Sequence, residues 1–524
     1  MARSIGRILE FDWARNGVWV NESDRLISAS GSWSYSPPNQ SFVTSRGHIA
    51  QMQVVLDNHD ARFSPLNTSS PLVNGTVASN GLGGGYGVPV RLKISINGGN
   101  SWEWVFHGVA KIPRESGPTT KDTATVSFDC RGREEQILNR RVSTTLANFQ
   151  QNVFGQATED ELIRKALFAA GLIDGVDFIS PYYYDNVSSV NAPTLDRGRF
   201  VIPFFWLDDE SPIEEIWGLV AACGGRFYAG PDGRFYYEAI DHWLNAPHTI
   251  AQETFGARGS QSSENSQYTD LNAQYDDDNF WSEIVVEASP REIDTPQLIW
   301  QPDEVYTIPP GSSKTVLAQL RQAAHDIFAA TFTATTPGGI EITSDITLTQ
   351  TNYAQRVDLQ FANGHATQAA LIRQLSISGS PLVGGPSVEE RAKSTDNFWS
   401  SREPRTRSIR GSIYTQSRDH AQLMAEYLRD RLERPALTYS LRGVPGVPTR
   451  RLGDYVAILD PDVMPGNVRH AFVISLRWRL SSSGFVQDLT AVDAANVFKH
   501  APDDYFIIGT DVCGASTLNA RIFY

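Results

Sequence analysis

Alternation of apolar and polar residues at both ends of the chain constrains its fold more than any other feature. Near the start, PVRLKISI puts Val90, Leu92, Ile94 and Ile96 on one face and Arg91, Lys93 and Ser95 on the other. ATVSFDC does the same with Ala124, Val126, Phe128 and Cys130. WEWVFHG alternates Trp102, Trp104 and Phe106, with Val105 interrupting the pattern. Near the end, FVISLRWRL alternates Phe472, Ile474, Leu476, Trp478 and Leu480, after a second strand-like run, YVAILDP. A period of two matches the pleat of a strand with one wet face, so these runs form half-buried antiparallel strands. Turn signals separate them: NGGN at Asn97, and NGLGGGYG from Asn80 to Gly87. The first module is therefore expected to be a small sandwich or barrel.

Helical grammar interrupts the strands. TEDELIRKALFAAGL opens with a capping box, Thr158 as N-cap and Glu161 three residues on, and stops at Gly171. In a second helix Ser211 caps, Pro212 takes the first position and Glu214 completes the box. Its stripe is Ile213, Ile216, Trp217, Val220 and Ala221, and Gly224-Gly225 end it. RFYAGPDGRFYYEA then reads as two aromatic strands around Gly230-Pro231-Asp232-Gly233, a β-hairpin. Residues from about Thr254 to Asp278 are polar and are expected to form a linker or long loop. A second β region follows, including VDLQF and QLSISGSPL. A third helix, SRDHAQLMAEYLRDRLERP, is capped by Ser417 and closed by Pro435. The order β, helix, β, helix, β suggests a loose duplication without an identity-level repeat.

Several function classes are disfavoured. With 45 basic against 59 acidic residues, a net charge of −14, the chain lacks the basic excess that a general nucleic-acid-binding surface needs. No HExxH, GxSxG or P-loop is present, and Tyr86 stands where a Rossmann third glycine belongs. Cys130, Cys223 and Cys513 are too sparse for a disulfide framework or zinc site, and the first two read as buried. Asp208, Asp209 and Glu210 precede a helix, where carboxylates are favoured. Asp276 to Asp278 read as a solvated turn, because they lack the glycine and distal glutamate of a calcium loop. The aromatics, 12 Trp, 18 Tyr and 25 Phe, mostly alternate within strands and so serve a core or interface. A sugar platform and paired glycosidase carboxylates stay open as alternatives. The N-terminus shows no apolar signal segment, and no run reaches the ~18 apolar residues of a membrane span. Synthesis in the cytoplasm and a soluble product are expected.

The stretch LDNHDARFSPLNTSSPL, Leu56 to Leu72, poses a separate question: one phenylalanine, Phe63, lies in a polar loop held by Pro65 and Pro71. Followed by a glycine-containing loop, PVRLKI and VFHGVAKI, it resembles the tail-hub (baseplate-hub, or minor tail) proteins of long-tailed bacteriophages. The resemblance continues through SPIEEIWGLVAACGGRFYAGPDGRFYYEA, YTIPPGSSKTV, QFANG and QLSISGSPL to the Ser417 helix and RLGDYVAILDP, and covers most of residues 45–495.

The resemblance implies a mainly β, α+β, multidomain chain with two tail-tube-like β-barrels or sandwiches. The expected division is a first tube-like barrel at 1–145, a helix-containing insertion ending in the hairpin at 146–250, and a second barrel with its linker at 251–415. A helix with a small β domain follows at 416–495, and a C-terminal extension at 496–524. It further implies a structural homotrimer at the virion tail tip, synthesised in the host cytoplasm, that joins the sixfold tail tube to threefold components. Expected partners are a distal tail or tail-tube protein, a tape-measure protein, and a tail fibre or receptor-binding protein. DNA would pass through the channel without specific binding. No catalytic residue, cofactor or metal is expected. Nor is cell-wall-degrading activity, because only 496–524 follow the last strands where larger relatives carry a peptidase or lysozyme domain. Arg62, Phe63 and Pro65 are the candidate interface residues, with Phe63 packing either in a neighbouring subunit or under its own barrel. A carbohydrate-active β protein and a host-binding adhesin are the alternative functions.

Overall fold

The computed structural model describes residues 5–36, 47–64, 67–74, 87–116, 124–143, 157–186, 192–244, 248, 250–257, 266–276, 278–394, 403–460, 468–497, 505–507 and 521–523. The chain is mainly β and multidomain, with few helices. The alternating runs become strands of one curled sheet, 15-stranded among the described residues. In Val88–Ser95, for example, Val88, Val90, Leu92 and Ile94 are buried while Pro89, Arg91 and Lys93 are half-buried on the other face.

The sheet has two halves with the same plan. The principal strands of the first are Gly6–Phe11, Leu26–Ser34, Gln51–Asp57, Val88–Ser95, Glu103–Ala110 and Thr125–Gly132. Those of the second are Glu253–Ala257, Asp270–Asp276, Ala436–Pro445, Tyr455–Leu459, Val468–Ser481 and Gly484–Asp493. Numbered along the chain within each half, both sets lie side by side in the order 2-3-6-5-4-1. In both, the sixth strand leads into a short helix, Glu134–Leu138 or Ala494–Val497. One pairing differs: the first strand runs antiparallel to the fourth in the first half and parallel to it in the second. The duplication is therefore one of topology.

The halves join in a continuous ladder. Ala29 to Ser34 pair with Leu480 to Ser475, antiparallel. The strand Val468–Ser481 is long enough, at 14 residues, to pair first with Tyr455–Leu459 and then with this partner from the other half. A single apolar cluster runs across the seam, from Phe11, Val90 and Phe128 to Tyr439, Phe472, Leu476 and Leu489. Gly31 is required there by close approach. A Cβ at this position would lie 2.5 Å from the Trp478 ring and 2.8 Å from the Gln51 carbonyl oxygen.

Two further cores complete the chain. The helices Glu159–Ala169, Pro212–Ala222 and Arg418–Leu432 pack with the aromatic hairpin and with strand Glu283–Ala288. Residues 291–384 form a β module around the 15-residue strand Ala370–Gly384, with Ile308, Leu359, Phe361 and Ile377 inside. The cores therefore group the chain differently from the expected contiguous division. The partners of Ala436–Pro445 include Asp270–Asp276, so the intervening modules are an insertion within the second half. The third helix joins the first two: His420 Nε2 lies 2.9 Å from the Ala222 carbonyl oxygen, and Tyr427 donates to that of Gly224 at 3.2 Å. The expected linker around Thr254 to Asp278 contains three strands of the sheet, Glu253–Ala257, Gln267–Tyr268 and Asp270–Asp276.

The helix ends follow the sequence only in part. Ser417 accepts from the His420 amide, as a cap should. Thr158 and Ser211 stand at the N-cap positions with extended backbone but accept no capping bond, and Glu161 receives the Tyr182 hydroxyl instead. Gly171 and Gly224 both take a positive φ at helix C-termini, as anticipated.

Gly31→Ala tests the seam. The added methyl has no room, so an unfolding free energy lowered by about 1–3 kcal/mol, with an earlier midpoint, is expected from denaturant titration. An unchanged midpoint would show that the seam tolerates separation.

Candidate functional site

The loop after Gln51–Asp57 fastens to its own half of the sheet. Asn58 Oδ1 accepts from the Phe63 amide at 2.9 Å, and Ala61 turns the chain with φ 57°. Phe63 is fully buried, with ring centroids 5.6 Å from Trp13 and 5.9 Å from Phe128. The guanidinium groups of Arg25 and Arg62 lie 5.8 and 5.7 Å from its ring centre. Each arginine is tied down: Arg62 to the buried Glu22 at 2.6 Å, and Arg25 to Asp60 through two bonds of 2.9 and 2.7 Å. The Arg25 bonds hold the Asp60 carboxyl down to about 2. Trp13 Nε1 also donates to Glu22, at 3.2 Å.

This corrects the expected intersubunit anchor. The Phe63 ring is spent inside its own chain, which leaves the other of the two arrangements considered, packing under its own barrel. Arg62 accompanies it, and Pro65 lies outside the described residues. Glu22 and Arg25, which complete the clamp, carry no sequence signal beyond being charged residues beside a strand.

A second junction joins the sheet to the helical module. Arg133, just after the sixth strand, donates to the Gly233 carbonyl at 2.7 Å and to Asp177 at 2.8 Å. Its neighbour Glu134 accepts from the Ala229 amide at 2.8 Å, while its other oxygen is buried without a hydrogen-bond partner. Burial pushes this carboxyl up to about 7. Glu238, on the hairpin, accepts from Tyr35 of the first half at 2.8 Å and from Tyr228 at 2.7 Å. Arg226 lies 3.8 Å above the Trp243 ring, and Trp243 stacks on Phe472 of the second half at 4.5 Å. The hairpin, through Glu238, and the turn after it, through Trp243, thus touch both halves of the sheet. A cavity of about 320 Å³ opens beside it, lined by Trp33, Trp104, Tyr228, Tyr236, Asp232 and Arg451. Asp232 is engaged there by the Tyr236 hydroxyl at 3.0 Å.

Several strands of the large sheet are paired on one side only among the described residues, Val20–Asn21 and Gln267–Tyr268 among them. Asp270–Asp276 pairs with Ala436–Pro445 on one side only, and Arg114–Ser116 pairs only with Thr125–Gly132. Cys130 and Cys223 are buried, as expected, and Cys513 lies outside the described residues. Asp276 forms a local turn, accepting from Asp278 and Asn279; Asp277 lies outside the described residues. Among the described residues no cluster of three His, Cys, Asp or Glu side chains is placed to hold a metal. No described helix is long and apolar enough to cross a membrane.

No family model and no curated protein sequence matches the chain. Among solved structures it is similar to a tail protein from Neisseria meningitidis, at 11% identity and a TM-score of 0.48, over 94% of this chain and 97% of that one. It is also similar to the 43 kDa tail protein of prophage MuSo2 from Shewanella oneidensis, at 9% identity and 0.43, over 94% and 98%. A third is the prophage tail protein gp18 from Listeria monocytogenes, at 10% identity and 0.40, over 93% and 94%.

Two outcomes check this geometry. Phe63→Ala is expected to cost about 3–5 kcal/mol of folding stability, read as a lower Tm of the unassembled chain. An unchanged Tm with weakened self-association would return the residue to an interface. For Glu134, the folded pKa lies above the unfolded one, so its contribution is complete below about pH 4.5 and fades as pH rises through about 7. Glu134→Gln should therefore flatten this part of the pH profile and be the more stable form at pH 8, by about 1–3 kcal/mol. A denaturation series from pH 5 to 8 with parallel curves for both forms would contradict it.

Proposed function

We propose that this chain is a structural protein of a bacteriophage tail tip, a hub in which three copies close a ring of six β units. One observation carries the reading: two successive units with the strand order 2-3-6-5-4-1, joined edge to edge within one polypeptide. A chain that carries two like units reaches sixfold pseudo-symmetry with three copies, and so can match a sixfold tube on one face and threefold parts on the other. The motifs that resemble tail-hub proteins support the same reading by their placement. The Phe63 loop braces the first unit, and the SPIEEIW helix with its hairpin bridges both units.

In this reading the tube side meets a distal tail or tail-tube protein, a tape-measure protein occupies the lumen, and a fibre or receptor-binding protein docks beyond. The excess of 59 acidic over 45 basic residues suits a wall that repels phosphates, so that DNA passes without binding. The chain's work is conformational: it holds the ring and lets it open on host contact. Its place is the virion tail tip, after synthesis in the host cytoplasm.

Native mass spectrometry of the purified full chain tests the reading. Three chain masses per particle are expected. A particle of one chain at micromolar concentration, or one of six, contradicts it.

A further inference from the structure

Val105, which interrupts the alternation of WEWVFHG, marks a β-bulge. Strands Val88–Ser95 and Glu103–Ala110 pair Leu92 with Phe106 but Lys93 with Trp104, so the register skips one residue and Val105 is buried beside Phe106. The bulge puts Trp104 opposite Lys93, on the outer face of the sheet, instead of in the core with Phe106. There it forms one wall of the 320 Å³ cavity beside the hairpin. The other walls come from both units and the hairpin: Trp33 from the seam strand, Tyr228, Asp232 and Tyr236 from the hairpin, and Arg451 from the segment before Tyr455–Leu459. Small ligands bind at such junctions between modules, in cavities of about 300–1,000 Å³ with aromatic walls and a few polar groups.

We propose that this cavity binds a neutral pyranose sugar. The site lies within one chain and does not depend on the ring reading. Charge disfavours the other ligand classes. Glu103 and Asp232 line the cavity and repel a phosphate or carboxylate. An ammonium ligand would meet Arg451, and Trp104 already carries Lys93 Nζ at 4.0 Å and the Arg91 guanidinium at 5.1 Å from its ring centre. Hydrogen-bonding capacity is left over in both senses. Among the described residues the Glu103 carboxylate has no hydrogen bond or ion pair, and the indole N–H groups of Trp33 and Trp104 have no acceptor. Arg451 donates through Nη1 to the Pro448 and Arg450 carbonyls, which leaves Nε and Nη2. Asp232 accepts one bond on each oxygen, from the Arg234 amide at 3.2 Å and the Tyr236 hydroxyl at 3.0 Å, and each oxygen has a lone pair to spare. A sugar hydroxyl both donates and accepts, so it matches acceptors on Glu103 and Asp232 and donors on Trp33, Trp104 and Arg451. The C–H groups of the same ring match the aromatic walls.

Saturation-transfer NMR of the full chain tests the site. The probes are D-glucose, D-galactose, D-mannose and N-acetyl-D-glucosamine, with choline and acetate as charged controls. At least one sugar is expected to show transfer, with a Kd of about 1 mM or tighter, and choline and acetate none. Glu103→Ala and Trp104→Leu are expected to weaken that sugar by about tenfold or more, with Glu103→Ala leaving the Tm unchanged. No transfer to any of the four sugars, transfer to choline or acetate instead, or sugar binding that both variants leave intact would overturn the assignment. Each of these results leaves the ring reading standing.

Discussion

The pairing of Leu26–Ser34 with Val468–Ser481 is the contact on which the rest of the architecture depends. It joins residues some 440 positions apart and turns two six-stranded units into one sheet with one core. Without it the first unit would end in an open edge, and Gly31, Trp478 and Leu476 would line a cleft instead of a seam. Ordering so distant a contact is entropically costly, and the ladder is backed accordingly. Ser34, Trp33 and Tyr35 each bond to the 474–475 region through side chain or backbone, and Gly31 lets the indole of Trp478 lie against the backbone.

The helical module acts as a strut across this seam. Its hairpin reaches the first unit through Glu238 and Tyr35, and the turn after the hairpin reaches the second through Trp243 and Phe472, so a shift of one unit against the other would break buried contacts at both ends. Glu134, in the same strut, is an acid whose burial pushes its carboxyl up to about 7 against the Ala229 amide bond that favours the charged form. The β module of residues 291–384 enters as an insertion between the second and third strands of the second unit. It adds mass without changing the strand order.

What could be read from the sequence was local. Strands with one wet face showed themselves by alternation, and the hairpin and helix limits by glycine, proline and serine. Asp270–Asp276 does alternate, with Leu271, Ala273 and Tyr275 between polar residues, but it is short and lies in a Ser-, Asn- and Gln-rich stretch that reads as a linker. The grouping of strands escaped because it is set by pairing between distant segments, which leaves no mark in any one window. Phe63 stands out in the sequence as an aromatic held in a polar loop. Its partners Trp13, Glu22 and Phe128 come from three different segments, and that decided between an internal clamp and an external anchor.

The repeated unit ties these observations to a role. Under the proposed reading, a polypeptide that carries the same strand order twice, joined edge to edge, closes a collar from three copies. Electron cryomicroscopy of the purified chain tests this most directly. The expected particle is a threefold ring whose wall shows six similar β lobes around a channel. A lone molecule, or a ring of six chains with one lobe from each, would contradict it.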